Sequence, residues 1–223
     1  LNLYVPRFDL LDGGSRRGLA EWRDLEEALD HMRLLLIGAP GAGKGTQAEL
    51  LAARFGIAHI SSGDLLRQHV SDQTPLGRTV KSYLDRGDLV PDGLVMTMLR
   101  QPVLAAVGGY VLDGFPRTVD QAKASYAVVR PLGAEVQAAI HLAVPPEELI
   151  RRLLARGRGA EDGEAVIEHR LKVFRERTVP LLDYYAGREW MFTVDGARSA
   201  DAVHEDIAGR IQKLAAMIAG PRL

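Results

Sequence analysis

No cysteine occurs anywhere in the 223 residues, which excludes disulfides, thiolate nucleophiles and thiolate zinc ligands. The six histidines are scattered without metal-ligand spacing, so no zinc is expected. Long apolar runs are missing as well. None approaches the roughly 18 residues of a membrane-spanning helix, and no charged start, apolar middle and small-residue cleavage site follow one another. The chain is therefore expected to be cytoplasmic, with no membrane partner. Charge of one sign is also lacking: 28 Lys and Arg against 29 Asp and Glu leave a formal net charge of -1. Such a balance gives no global electrostatic reason to bind nucleic acid, so any anion site must be built locally. Internal repeats are absent too.

What the chain does have is a 24.3 kDa length with 47% hydrophobic residues, enough for one large core with small insertions. From Arg33 onward, short continuous apolar runs alternate with longer helical patterns, the signature of a parallel sheet covered on both faces. Strands are predicted at residues 34–37, 57–60, 110–112, 136–143 and 190–194. Helices are predicted at 43–54, 118–130, 146–156, 163–185 with a kink at Pro180, and 199–218. Residues 62–91 are too many for a simple crossover and read as an inserted subdomain of two or three short helices broken at Pro75 and Gly87. Residues 1–31 read as an appendage whose role the residues do not disclose, with Leu19, Trp22, Leu25 and Leu29 at helical spacing. Met32, just before the first strand, makes these residues a candidate product of upstream translation, and they are set aside in the prediction of fold.

The strongest chemical signal is Gly38-Ala39-Pro40-Gly41-Ala42-Gly43-Lys44-Gly45-Thr46, which follows an apolar strand and opens a helix. Glycines let the backbone wrap an anion, successive amide hydrogens and the positive helix end face its oxygens, and Lys44 adds a mobile point charge. The generic loop has its hydroxyl directly after the lysine. Here Gly45 intervenes and the hydroxyl falls at Thr46. The second signal is Tyr110-Val111-Leu112-Asp113-Gly114-Phe115-Pro116-Arg117, an apolar strand ending in an acid at the sheet edge where the phosphate loop also opens. Asp113 is placed to hold a hydrated magnesium bridging nucleotide phosphates.

Four stretches together, GAPGAGKGTQ, Ile60-Ser61-Ser62-Gly63-Asp64-Leu65-Leu66-Arg67, Gly87-Asp88-Leu89-Val90-Pro91-Asp92 and LDGFPRTVDQA, resemble the adenylate kinase family in order and spacing, and the likeness runs from about Arg33 to near the C-terminus. The resemblance implies a P-loop NTPase-like, three-layer α/β fold with a five-stranded parallel sheet. It implies a core of residues 32–61, 92–156 and 165–220, an AMP-binding insert at 62–91 and a short lid at 157–164. The implied reaction is reversible phosphoryl transfer between ATP and AMP, giving two ADP, with Mg2+ as cofactor. ATP would lie on Gly41, Ala42, Gly43, Lys44, Gly45, Thr46 and Arg152. AMP would meet Ser62, Arg67, Val90, Gly114, Arg117 and Gln121. Ser62 stands where the family usually has threonine, and Gln121 would hydrogen-bond the base. Asp64 would join Asp113 in holding magnesium through water, and Asp195-Gly196 resembles the turn beside the ATP adenine.

The arginines point the same way, because phosphoryl transfer is catalysed mainly by positive charge placed around the moving group. Arg152 and Arg156 share a helix face while Arg151 points elsewhere, Arg158 follows in the loop, and Arg170 sits in the next helix beside Ile167, Leu171 and Phe174. With Lys44 and Arg117, the residues Arg156, Arg158 and Arg170 form the expected catalytic set, and the resemblance also gives Arg158 and Arg170 a hold on AMP. The lid departs from the family pattern: Arg158 is followed by Gly159-Ala160-Glu161-Asp162, one residue longer and with glutamate in first place, so the family's lid contacts are not carried over to Glu161 and Asp162. His59, His69, His141, His169 and His204 lack a paired carboxylate pattern and read as packed or solvated. Two rival functions stay open. Kinases of UMP and CMP share this fold, but tend to have alanine at the position of Ser62 and an asparagine-rich sequence after DGFPR. A non-catalytic nucleotide switch would need no second phosphate clamp such as Arg67 and Arg117. A monomer is expected, since no pattern demands a partner surface.

Overall fold

The computed structural model describes residue 25 and residues 28–219. Five strands, β1 (Arg33–Gly38), β2 (Ala58–Ser61), β3 (Tyr110–Asp113), β4 (Ala138–Ala143) and β5 (Trp190–Asp195), form one all-parallel sheet in the order β2-β3-β1-β4-β5. Side chains along β1 alternate between two cores, as the strand period of two requires. Leu34 and Leu36 join a cluster with Leu51, Phe55, Leu153 and Ile207, whereas Leu35 and Ile37 join one with Leu66, Val80, Leu99 and Leu181. All four β1 side chains are buried, which is why the strand reads as an unbroken apolar run.

Nine α-helices lie among the described residues. They are α1 (Lys44–Phe55), α2 (Ser62–Ser71), α3 (Pro75–Arg86), α4 (Asp92–Ala105), α5 (Val119–Val129), α6 (Pro146–Arg156), α7 (Glu164–Val173), α8 (Pro180–Ala186) and α9 (Ala200–Ala219). The first core cluster includes residues of α1, α6, α7 and α9, and the second residues of α2 to α5 and α8. Because β1 has β3 on one side and β4 on the other, the chain reverses its direction of winding there, and the crevice beyond the strand ends opens beside β1.

Two differences from the sequence reading have local causes. The predicted 163–185 helix is interrupted earlier than Pro180, by a π-helical turn at Phe174–Thr178 whose signature is the Val179 amide donating to the Phe174 carbonyl at 3.0 Å. Pro180 has no amide hydrogen and its ring presses on the preceding turn, so the ladder widens ahead of it. Helix α4 answers to no predicted element; Gly93 and the internal Pro102 obscure its pattern. The packed body also reaches back beyond Met32: Leu25, Ala28 and Leu29 pack against the first cluster and Met32 is fully buried. Leu19 and Trp22 lie outside the described residues.

The insert is held by close helix contact. A Cβ built on Gly77, in the first turn of α3, would fall 1.9 Å from the His69 carbonyl oxygen of α2, backbone that cannot step aside. Thr74 caps α3 by accepting from the Gly77 amide at 3.0 Å. Gly77→Ala is therefore expected to lower unfolding free energy by about 3 kcal/mol, the upper range of overpacking. Denaturant melts of the two proteins check this; an unchanged midpoint would refute the contact.

Candidate active site

Segments that follow β1, β2, β3 and β5 at the C-terminal edge of the sheet line one cleft of about 500 Å³, together with residues of α6 and α7. The phosphate loop joins β1 to α1, with Gly43 in left-handed conformation at the helix cap (φ +91°). Gly41, Ala42, Gly43, Lys44, Gly45 and Thr46 all line the cleft. Asp113, at the end of β3, faces the loop: a Cβ on Gly45 would lie 3.6 Å from its Oδ2. Asp64 and Arg67 come from α2, Arg152 and Arg156 from α6, Arg158 from the segment that follows α6, and Arg170 from α7. Seven arginines and Lys44 face three acids, Glu49, Asp64 and Asp113, in a chain whose net charge is only -1. The local anion site that composition required is here.

A second, smaller cavity holds Ser62, Val90, Gly114, Arg117 and Gln121, and shares Gly114 and Arg117 with the large cleft. The two cavities therefore meet at the Asp113-Gly114-Phe115-Pro116-Arg117 turn. Gly114 is needed there: its φ is +78°, and a Cβ would lie 2.7 Å from Ser62 Oγ. Arg117 is fastened at three atoms. Its amide donates to Gln121 Oε1 at 2.7 Å, its Nε donates to the Gly114 carbonyl at 2.7 Å, and its own carbonyl accepts from the Thr178 hydroxyl at 2.9 Å. The π-helical turn thus supplies a functional contact, presenting Thr178 to the backbone of a cleft arginine. Ser62 Oγ is buried without a hydrogen-bond partner.

The segment between α6 and α7 is compact. Gly159–Asp162 forms a single 3-10 turn that buries Asp162, whose carboxylate takes Arg156 Nε at 2.9 Å and Nη2 at 2.5 Å, the Arg158 amide at 2.9 Å and Arg170 Nη1 at 3.4 Å. Burial would raise the Asp162 pKa, but the guanidinium of Arg156 and the Arg158 amide outweigh it and hold it below the usual carboxylate value. Glu161 lies 3.7 Å from Arg67 and 3.9 Å from Arg170. The glutamate in place of aspartate and the extra residue therefore still deliver two carboxylates to the arginine cluster.

These features meet in a family comparison. Residues 36–190 match the sequence model of the family described as Adenylate kinase. The chain belongs to the adenylate kinase family. It is 48% identical to the adenylate kinase of Nocardia farcinica over 176 residues, which are 78% of this chain and 96% of that protein. It is 49% identical to that of Mycobacteroides abscessus over 77% of this chain and 94% of the relative. With that of a Synechococcus it shares 45% over 80% and 98%.

Within this adenylate kinase framework the electrostatics are strained. Burial, together with Arg117, Arg170 and Arg156, pushes the Lys44 ammonium down to about 8 despite the opposing pull of Asp113, and its Nζ donates to the Ala39 carbonyl at 3.0 Å. Arg170 is lowered to about 10, chiefly by burial and then by Arg156 and Arg117. Burial also lowers Arg117. Among the described residues no group of three or more His, Cys, Asp or Glu could hold a metal ion. Asp64 Oδ1 is already taken by Arg67 Nη2 at 2.5 Å.

One sequence expectation needs correction. His169 does have a carboxylate, with Nε2 2.8 Å from Asp88 Oδ1, a pair 81 residues apart that only the tertiary fold brings together. Sequence reasoning also missed Arg198 in the cleft, Thr178 behind Arg117 and Asp92 beside Gln121. No motif marks Arg198 or Thr178, and although Asp92 closes the Gly87–Asp92 stretch, nothing in that stretch points to Gln121 as its partner.

Lys44 yields a pH prediction. Its folded pKa near 8 lies below the unfolded 10.5, so its burial penalty on folding is full below pH 8 and fades as pH rises through that window. Phosphate binding needs the charged amine, so ATP affinity is expected to fall above pH 8 by up to about tenfold per unit. Calorimetric titration between pH 7 and 9.5 checks this, with the Lys44→Met protein showing a flatter profile.

Proposed function

We propose that the two joined cavities carry out reversible phosphoryl transfer between ATP and AMP, giving two molecules of ADP. The observation that carries this reading is that the cleft lined by the phosphate loop and the cavity lined by Ser62 and Gln121 share one arginine, Arg117. A donor phosphate in one and an acceptor phosphate in the other would adjoin across it. The family membership supports the same activity.

In this scheme the loop amides and Lys44 hold the outer ATP phosphates, with Arg152, which donates to the Gly196 carbonyl at 2.9 Å, on the ATP side. Arg67 and Arg117 grip the AMP phosphate, while Val90 and Gln121 border its base and the Ser62 hydroxyl finds its missing partner there. Arg156, Arg158 and Arg170 surround the moving group, and because Asp162 and Glu161 already orient Arg156, Arg170 and Arg67, little reorganisation remains for the transition state. Bound magnesium, held through water by Asp113 and Asp64, would neutralise phosphate charge. Residues 62–91 would serve as the AMP-binding insert and 157–164 as the lid, which excludes water so that the phosphoryl group passes to AMP rather than to hydrolysis. A cytoplasmic monomer remains our reading.

A CMP or UMP acceptor is disfavoured by the Ser62 hydroxyl and by Gln121, and a bare nucleotide switch by the second clamp. A coupled assay with magnesium and ATP, offering AMP, CMP, UMP and GMP in parallel, tests the assignment: strong preference for AMP supports it, and no transfer to any acceptor refutes it. Lys44→Met should leave a folded protein with turnover reduced at least about a hundredfold, the worth of one preorganised phosphate contact. Arg117→Ala should raise the KM for AMP well above any change in the KM for ATP; the reverse pattern would interchange the two sites.

A further inference from the structure

Gln121 is nearly inaccessible, 2% exposed, yet it borders the smaller cavity. Two neighbours fix its carboxamide. Its Oε1 accepts the Arg117 amide at 2.7 Å, and its Nε2 donates to Asp92 Oδ1 at 2.7 Å. A backbone N–H can only donate and an ionised carboxylate can only accept. Turning the amide over would set NH2 against N–H and carbonyl oxygen against carboxylate, making both part-buried contacts repulsive. What remains for a ligand is one N–H on Nε2 and one lone pair on Oε1, in a fixed order.

We infer that Asp92 is a specificity-determining positioning residue: by locking the Gln121 carboxamide it makes the monophosphate cavity accept a 6-amino purine and refuse a 6-oxo purine. The inference rests on the AMP-site reading above. The edge of adenine offers an acceptor at N1 beside a donor at the 6-amino group, which complements the locked amide. Hypoxanthine offers N1–H beside a 6-oxo oxygen, the reverse order. A freely turning glutamine would serve both, so recognition by glutamine alone does not discriminate; the lock does. Ser62 Oγ, buried and unpartnered in the same cavity, can both donate and accept and therefore adds no preference of this kind. An acid in the first turn of α4 would also stabilise that helix electrostatically, a purely structural role that would leave the choice of base untouched.

The test compares wild type with Asp92→Ala and Asp92→Asn, measuring kcat/KM for AMP and for inosine 5′-monophosphate at saturating ATP, together with thermal midpoints. Asp92 is exposed at the start of its helix, so both variants are expected to fold. Loss of one charge-assisted hydrogen bond should cut the AMP-to-inosine-monophosphate ratio at least about tenfold, through a higher KM for AMP and a gain in use of the 6-oxo acceptor, with the KM for ATP unmoved. An unchanged ratio in both variants, whether or not their midpoints drop, overturns the inference while leaving the function intact. Wild-type protein that fails to transfer phosphate from ATP to AMP overturns the function and this inference together.

Discussion

Like charges crowded into one cleft repel, and the architecture around this site is organised to hold that repulsion in place. Asp162 is the central counterweight, a buried carboxylate joined to two guanidinium groups and a backbone amide at once. Removing its charge would leave Arg156 and the more deeply buried Arg170 without the carboxylate that pairs with both, and for Arg170 this is the costly half of a broken buried ion pair. The Lys44 and Arg170 pKa values are lowered first by burial and then by the neighbouring guanidinium groups, so some repulsion survives beside Asp113 and Asp162. Such residual repulsion keeps the cleft ready for a polyanion, since incoming phosphate relieves it.

The same turn of chain that ends β3 serves both cavities. Asp113 faces the phosphate loop, Gly114 lets Ser62 approach, and Arg117 looks into the cleft while its backbone amide engages Gln121. On the proposed reading, base recognition and phosphate grip are thus hydrogen-bonded to each other through Arg117. Thr178 adds a third link, carrying the arrangement of the π-helical turn to the Arg117 carbonyl. A shift of that turn would be transmitted to a residue that borders both cavities.

Much of this was legible from residue order. The five strands, the phosphate loop and the arginines of α6 and α7 announce themselves because buried parallel strands are continuous apolar runs and because glycines at fixed spacing have few structural uses. Helix α4 was hidden by Gly93 and Pro102, and the widening of the ladder at Phe174–Thr178 by the fact that proline acts on the turn before it rather than at its own position. Asp88 and Asp92 stand in a quoted stretch, but their partners, like that of Thr178, were invisible for a different reason. Each works through a partner far away in the chain, and no local spacing encodes such a meeting.

The position of Glu161 has a consequence for how the cleft meets salt. Its carboxylate lies within 4 Å of both Arg67 and Arg170, the two arginines proposed to meet the acceptor. A phosphate entering there exchanges with an anion already present, instead of adding to bare cations. On the proposed reading, fewer mobile counterions would then be released than the number of arginines suggests, and the ionic-strength dependence of acceptor binding would be shallow for so basic a cleft. The protein would carry part of its own counterion atmosphere, covalently attached beside the arginines.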